Sequence, residues 1–256
     1  GLPKVVIPDI GLSAMQKTWI KEIYTWPSPK PKDEGISLIS RVINEIPSKF
    51  NIIGAELGKE MSLRMPLKDF FLLQSTLTRK IIDASSILWE LRLIKSNAEI
   101  DKIKHICKIA SNSFENLPSL INKGDSERDI AKKMKIDLIS QGADSIPYLP
   151  VISGVGGVSQ IIYEPTNRVL KSGDILFVDT GSTYDGYFCD FDRNYSIGKA
   201  SKIVNDIYEI LWVATQNAIE AATPGLFLSD LWKLMANSLN KYLPNNFNKG
   251  RFGHSF

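Results

Sequence analysis

The sequence has few of the features that mark specialised protein classes. Only two cysteines, Cys107 and Cys189, occur in 256 residues, which excludes a disulfide framework and favours a reducing compartment such as the cytoplasm. No apolar run reaches the roughly 20 residues that span a bilayer. The first ten residues, GLPKVVIPDI, lack the charged and long apolar regions of a signal peptide. We therefore expect a cytoplasmic protein that has no membrane partner.

Charge also excludes some functions. The net charge is only +3, and the lysines are scattered rather than clustered, so we do not expect a nucleic-acid partner. A hydrophobic content of 43% and a charged content of 23% are ordinary for a globular protein. The length is sufficient for one large domain or two medium ones.

The order of segments predicts two domains. Over residues 1–84 short strand-like runs (KVVIP, NIIGAE, KIIDAS) alternate with helical patterns at 37–46 and PLKDFFLLQSTL, as in a small α/β domain. Residues 85–142 read as helices, with Ser96, Glu99 and Ser126 at predicted N-termini. Strands and turns are predicted over 143–198, and helices over 203–223 and 229–243. We predict a small domain at 1–84 and a second at 85–256.

The stretch ILFVDTGSTYDGYFCDFD, residues 175–192, carries the strongest chemical signal. Asp185-Gly186 suits the tip of a two-residue type I′ hairpin, which would pair Tyr184 with Tyr187 and Asp179 with Asp192. Because side chains alternate along strands, Asp179, Asp190 and Asp192 would share one face. Diagonal neighbours such as Asp179 and Asp190 lie roughly 7–8 Å apart.

Clustered carboxylates repel unless something offsets their charge. Ion pairs, for example with the adjacent Arg193, are one explanation, and protonation through burial is another. Two divalent metal ions about 3.5–4 Å apart, as in two-metal hydrolases, are the third. Geometry alone leaves all three open, because a metal site needs a further ligand.

The two histidines differ in context. His105 lies in the helical run KIKHICKI and is interpreted as a packing or surface residue. His254 lies beside Gly253 in RFGHSF, a setting that suits close approach to a ligand and makes it a candidate metal ligand. The glycine-rich SGVGG, residues 153–157, lacks the ending of a P-loop and is interpreted as a loop at the edge of the site rather than a nucleotide cradle.

These stretches together resemble the creatinase/aminopeptidase P/prolidase group of metallohydrolases, which has the pita-bread fold. The likeness is carried by LRLIKSNAEIDKI, INKGDSERDIAKKM, the hairpin stretch and GRFGHSF, and it extends over nearly the whole chain. It implies the α/β class: an α+β pita-bread catalytic domain preceded by a smaller α/β creatinase-type N-terminal domain.

The resemblance also implies roles for individual residues. Asp179 would bind one metal ion, Asp190 would bridge two, and His254 would be a third ligand. Asp192 and Arg193 fall in the family's D-x-x-R stretch and would support these ligands. The cofactors would be two divalent ions (Mn, Co, Zn or Fe) that activate a water molecule and polarise a substrate carbonyl.

Three departures from the family pattern affect these expectations. The family's two further glutamate ligands lie downstream of the histidine, so we expect this sequence to be a fragment that binds metal poorly and is inactive by itself. Ile162, in Ile162-Tyr163-Glu164-Pro165, stands where prolidases carry a substrate-side histidine. Asp192-Arg193-Asn194 stands where the family usually has T-R-T. The last two changes weaken the expectation of cleavage next to proline and leave metal binding unaffected.

The leading hypothesis is a dinuclear metallohydrolase that resembles Xaa-Pro aminopeptidases and dipeptidases and takes a small peptide or amide substrate. A homodimer would be usual for the family. The alternatives are a non-peptidase of the same fold, such as a creatinase-like or ectoine-type C–N hydrolase or a dimethylsulfoniopropionate lyase, and a metal-free binding module. The resemblance places residues 162–163 on the substrate side. The sequence identifies no catalytic acid or base.

Overall fold

The computed structural model describes residues 1–58, 60–240, 242 and 252. It divides the chain into two compact units, residues 1–95 and 96–256. The predicted boundary at 84/85 precedes the helix Ser85–Leu93, whereas the structural division follows it. The start of this helix is attached to the first unit, because the hydroxyl of Ser85 donates to Asp83 at 2.6 Å and accepts from the Gly58 N–H at 2.8 Å.

The first unit has the alternating helices and strands that the sequence predicts. Its elements are β1 (Lys4–Pro8), α1 (Leu12–Met15), β2 (Glu22–Trp26), α2 (Ile36–Glu45), β3 (Ile52–Ala55), α3 (Leu67–Thr76), β4 (Lys80–Asp83) and α4 (Ser85–Leu93). The strands form two parallel pairs, β1 with β2 and β3 with β4. Strand β2 has no counterpart in the sequence-based prediction. Parallel pairs connected through helices are typical of α/β architecture.

The second unit places two helices before a four-stranded antiparallel sheet. Its elements are α5 (Asn97–Leu120), α6 (Glu127–Ser140), β5 (Ser145–Tyr148), β6 (Val151–Val155), β7 (Asp174–Tyr184), β8 (Tyr187–Ser196), α7 (Lys202–Ala221) and α8 (Leu228–Asn240). Strand β7 is central: β5 and β6 pair with successive parts of one edge, and β8 pairs with the other. Strand β6 includes the first three residues of SGVGG, so the predicted loop begins later than expected.

Local capping signals set the starts of α5 and α6. Ser96 and Glu99 form a capping box at α5, and Ser126 and Asp129 form one at α6. Each box satisfies backbone N–H groups that have no partner within the helix. The two helices pack on one face of the sheet and form a single apolar core with it, which contains Ile106, Leu117, Met134, Leu176, Val178 and Cys189. The opposite face of the hairpin is thereby left for polar side chains.

None of the described helices combines the length and the apolar character needed to cross a bilayer.

Candidate functional site

The hairpin of β7 and β8 has the predicted register. Tyr184 pairs with Tyr187, Gly181 with Asp190, and Asp179 with Asp192. The turn residues Asp185 and Gly186 have φ angles of 47° and 82°, the positive values that a type I′ turn requires at both central positions. The two-residue turn fixes the pairing of both strands, and the predicted hairpin is confirmed.

The two faces of the hairpin have opposite character. Val178 and Cys189 are fully buried in the core against α5 and α6. Asp179 and Asp190 are half-buried on the other face. Strand alternation therefore separates an apolar face that anchors the hairpin from an acidic face that it presents.

The two half-buried aspartates interact strongly with each other. Burial, the charges of Asp190 and Asp192 and a hydrogen bond to Asp190 together raise the pKa of Asp179 to about 6. Carboxylates that share a site resist simultaneous ionisation. A cation placed between them would reverse this effect, so the pair suits a positively charged ligand.

Asp192 and Arg193 do not form the ion pair considered from the sequence. Arg193 donates to the backbone carbonyl of Asp192 at 2.6 Å, and its guanidinium lies 5.0 Å from the ring centre of Phe191 and 5.7 Å from that of Phe114. Desolvation by the surrounding atoms raises the pKa of Asp192, while Arg193 opposes this at longer range. The charge of Arg193 therefore offsets part of the effect of desolvation on Asp192.

The third predicted ligand, His254, lies outside the described residues. Within the described part of the chain, no group of three or more histidine, cysteine, aspartate or glutamate side chains is placed to hold a metal ion. The described residues thus provide two carboxylates in suitable proximity. Carboxylate oxygens are ligands that hard and borderline divalent ions bind. The described residues therefore supply part of the ligand set of a metal site.

Tyr148 lies on the aspartate face and was not identified from the sequence. It pairs with Gly181 across β5 and β7, and its pKa is raised by burial and by the charges of Asp179 and Asp190. A Cβ built on Gly181 would lie 3.3 Å from the Cβ of Tyr148, so the absence of a side chain there lets the ring approach. The short run SIPY gave no sign of this long-range pairing.

Tyr148 also lines a cavity of about 820 Å³ in the second unit. The substrate-side residues named from the sequence, Ile162 and Tyr163, line the same cavity, together with one face of α6. Tyr148 is thus the side chain that connects the aspartate face with the segment predicted to meet substrate.

A buried carboxylate fixes that segment. Glu127, only 2% exposed, accepts hydrogen bonds from the N–H and hydroxyl of Ser153, both at 2.7 Å, and from the N–H and hydroxyl of Thr166, at 3.0 and 2.7 Å. These bonds outweigh desolvation and lower its pKa. They join the start of α6 to β6 and to the end of the 162–166 segment. The sequence showed Ser126 as a cap and did not reveal the role of its neighbour.

An ion pair holds the other end of the segment between β6 and β7. Asp174, fully buried at the start of β7, receives two bonds of 2.7 Å from Arg168 and one of 2.8 Å from the Lys171 N–H. The Arg168 guanidinium holds the pKa of this carboxyl below its usual value. Paired, fully hydrogen-bonded charges of this kind are the form in which buried charge is tolerated.

His105 is a surface residue, as one of the sequence interpretations had it. It is exposed on α5, and its ring centre lies 4.3 Å from that of Tyr184 near the hairpin tip.

Comparison with known sequences gives a consistent family. Residues 101–256 match the model of metallopeptidase family M24. The probable dipeptidase PepE of Mycobacterium bovis is 28% identical over 231 residues, which cover 88% of this chain and 58% of the relative. The Xaa-Pro dipeptidase of Pyrococcus furiosus is 28% identical over 157 residues, which cover 61% of this chain and 45% of the relative. The chain therefore spans only part of the length of these curated relatives.

Solved structures share the fold. The prolidase from Thermococcus sibiricus superposes with a TM-score of 0.82 at 22% identity, covering 94% of this chain and 64% of the other. The X-Pro aminopeptidase from Thermotoga maritima gives 0.77 at 23% identity, covering 94% of this chain and 66% of the other. At such identities the likeness shows the fold, which confirms the predicted pita-bread architecture.

Proposed function

The chain belongs to metallopeptidase family M24, and from that premise we propose that it forms part of a dinuclear metal-dependent hydrolase that cleaves an amide bond in a short peptide, as Xaa-Pro dipeptidases do. The observation that carries the proposal is the pairing of Asp179 and Asp190 on one face of the hairpin. Burial and the charge of Asp190 raise the pKa of Asp179 in the absence of a cation, which is the electrostatic condition of a site built around positive charge.

Each residue then has a defined task. Asp179 and Asp190 would hold two divalent ions (Mn, Co, Zn or Fe), with His254 as a further ligand. Such ions, when bound, lower the pKa of a water molecule and polarise a substrate carbonyl. Asp192 would support the ligands through its place opposite Asp179 in the register, and Arg193 would act through the backbone of Asp192.

Substrate would approach from the side of Tyr148, Ile162 and Tyr163. The fixed position of the 162–166 segment, held through Glu127, supports a role in orienting the peptide rather than in proton transfer. The sec-butyl side chain of Ile162 is 72% exposed and can contribute only apolar contact, so this side chain can neither transfer a proton nor form a hydrogen bond.

That feature favours a second candidate. A non-peptidase of the same fold, such as a creatinase-like or ectoine-type C–N hydrolase or a dimethylsulfoniopropionate lyase, would keep the two aspartates and use a different substrate-side residue. The metal-free binding module is less well supported, because that role does not require Asp179 and Asp190 to remain together. We further propose a cytoplasmic homodimer that has neither a nucleic-acid nor a membrane partner.

The decisive experiment measures metal content and hydrolysis together on the full-length gene product. We expect saturable binding of Mn, Co, Zn or Fe that Asp179→Ala and Asp190→Ala each reduce strongly, while Asp101→Ala, an exposed helix position, serves as the control. Metal content below about half an equivalent per chain at saturation would contradict a metal centre. Turnover of Gly-Pro or Ala-Pro would favour the peptidase, and turnover of non-peptide amides alone would favour the second candidate.

A further inference from the structure

One wall of the 820 Å³ cavity carries a row of positive charge. Arg128, Lys132 and Lys135 lie on α6 and all line the cavity. Spacings of four and three residues place them on one face of the helix. Glu164 is the single acidic residue among the described side chains that line it. The cavity is therefore electropositive along its helical wall.

The two lysines are available to a ligand. Both are exposed, and neither takes part in any of the ion pairs formed within the described ranges of the chain. Asp129, the acidic residue nearest to Lys132 in sequence, accepts hydrogen bonds from the N–H and hydroxyl of Ser126 at 2.9 and 2.6 Å. Its carboxylate is therefore part of the helix cap, and the charge of Lys132 acts on its pKa without forming an ion pair with it.

The opposite wall is held in place by the same helix. The Arg128 side chain donates to the carbonyl of Pro165 at 3.1 Å and to the side-chain oxygen of Asn167 at 3.3 Å. The Arg128 N–H also donates to the Thr166 carbonyl at 3.1 Å, next to the bonds that Glu127 makes with Thr166. The distance between the two walls is thus fixed by hydrogen bonds, which makes the cavity a preformed site.

The remaining lining is apolar and aromatic. Tyr148 and Tyr163 belong to it, together with Leu149, Pro147 and Pro150. A cavity with apolar walls and a few convergent charges is the usual form of a small-ligand site. Tyr148 gives it continuity with the aspartate face, since it pairs with Gly181 on the same strand face as Asp179.

We propose that this cavity binds a carboxylate group of the peptide, with Lys132 and Lys135 as its cationic partners and the tyrosines beside its apolar part. The proposal rests on the proposed function for the identity of the ligand as a peptide. The carboxylate can come from the peptide C-terminus or from an acidic side chain, and both have the chemistry that the lysines recognise.

Peptide binding to the full-length gene product, measured by calorimetry in the presence of a chelator, tests this separately from hydrolysis. The probes are Ala-Pro, its C-terminal amide, and Glu-Pro amide, which carries a carboxylate only on its side chain. We expect a carboxylate-bearing probe to bind at least about fivefold more tightly than Ala-Pro amide, and this difference to shrink with added salt. Preference for Ala-Pro identifies the C-terminus as the source, and preference for Glu-Pro amide identifies the side chain.

Two double variants supply the matched comparison. Lys132→Ala with Lys135→Ala is expected to abolish the preference for carboxylate, whereas Lys104→Ala with Lys108→Ala, exposed positions on α5 outside the cavity, should retain it. Equal binding of carboxylate and amide probes by the parent protein, or an unchanged preference in the cavity variant, would overturn the proposal. Hydrolysis and metal content test the proposed hydrolase function. A preference for carboxylate without metal-dependent turnover would reject that function and leave the carboxylate site standing.

Discussion

Asp179 lies directly opposite Asp192 across β7 and β8, while Asp190 pairs with Gly181 one step along the same face. The register therefore brings three carboxylates to one surface. Asp190 and Asp192 do not act equally on the pKa of Asp179. Burial, the charge of Asp190 and then the charge of Asp192 raise the pKa of Asp179 in that order of size. The diagonal neighbour acts more strongly than the residue directly opposite, and its hydrogen bond with Asp179 adds to the effect of its charge.

This order predicts the effect of neutralising each neighbour. In the metal-free protein, Asp190→Asn should lower the pKa of Asp179 from about 6, and Asp192→Asn should lower it by less. The pKa should stay above its ordinary value in both variants, because burial remains. Carboxyl NMR titration would measure this, with Asp101→Asn as the control. A larger effect from Asp192→Asn than from Asp190→Asn would contradict the stronger coupling of Asp179 to its diagonal neighbour.

Glu127 should be important for stability although it lies away from the aspartates. Glu127→Gln removes the negative charge and places an amide NH₂ among four donors, so at least one buried group loses its partner. The expected loss is about 1–3 kcal/mol in the free energy of unfolding, measured by chemical denaturation. Glu115→Gln, at an exposed position on α5, is the matched control and should change stability by less than about 0.5 kcal/mol.

Peptide affinity distinguishes a local role of Glu127 in fixing the 162–166 segment from a purely global effect on stability. If Glu127 fixes the 162–166 segment, Glu127→Asp should restore part of the stability and part of the peptide affinity, since the shorter carboxylate keeps the charge. A Glu127→Gln protein that is as stable as the parent would mean that the four hydrogen bonds contribute nothing net.

The Asp185-Gly186 turn was predicted from the sequence and Tyr148 was not. This contrast shows which parts of the site can be predicted from the sequence. The turn is encoded by two adjacent residues with positive φ, and a two-residue turn determines the pairing of both strands. The capping boxes at Ser96 and Ser126 are equally local. Their signals lie within four residues, and so they were predictable.

Tyr148 and Glu127 depend instead on contacts across many positions. Tyr148 meets β7 through a register shift between Ser145 and Tyr148, an irregularity with no signal in a four-residue strand. Glu127 is buried because Ser153 and Thr166, far along the chain, turn four donors toward it. An acidic residue in the first turn of a helix is usually exposed, and only the tertiary structure shows that this one is not.

Asp174 and Arg168 predict how stability responds to acid. The pKa of Asp174 lies below the ordinary 3.8 in the folded state, so the unfolded chain takes up its proton first as the pH falls. The stabilisation is fully present above the unfolded pKa and is lost as the pH falls through the folded pKa. Asp174→Asn should lower stability at neutral pH and reduce the slope of stability against pH in the acid range.

Denaturation at a series of pH values would measure this slope. Asp101→Asn, which replaces an exposed aspartate on α5, is the control. Parallel curves for the parent and Asp174→Asn would contradict a linkage through the Arg168 pair.

The glycines at the end of β6 and just after it should differ in how well they tolerate substitution. A Cβ at Gly154 would lie 2.3 Å from the Gly157 carbonyl oxygen. The Gly157 N–H donates to the Gly154 carbonyl, so the Gly157 oxygen cannot move aside without opening this turn. Gly156 has a positive φ of 73° and open space around its Cα, so alanine there costs only the left-handed conformation, about 1–2 kcal/mol. Gly154→Ala should therefore destabilise the protein more than Gly156→Ala in thermal or chemical unfolding. It should also disturb the neighbouring Ser153, which donates to Glu127, and so weaken peptide affinity, as we also expect of Glu127→Gln. Equal stability of the two alanine variants would show that the turn adjusts freely and that the close approach of Gly157 to Gly154 does not constrain the clamp.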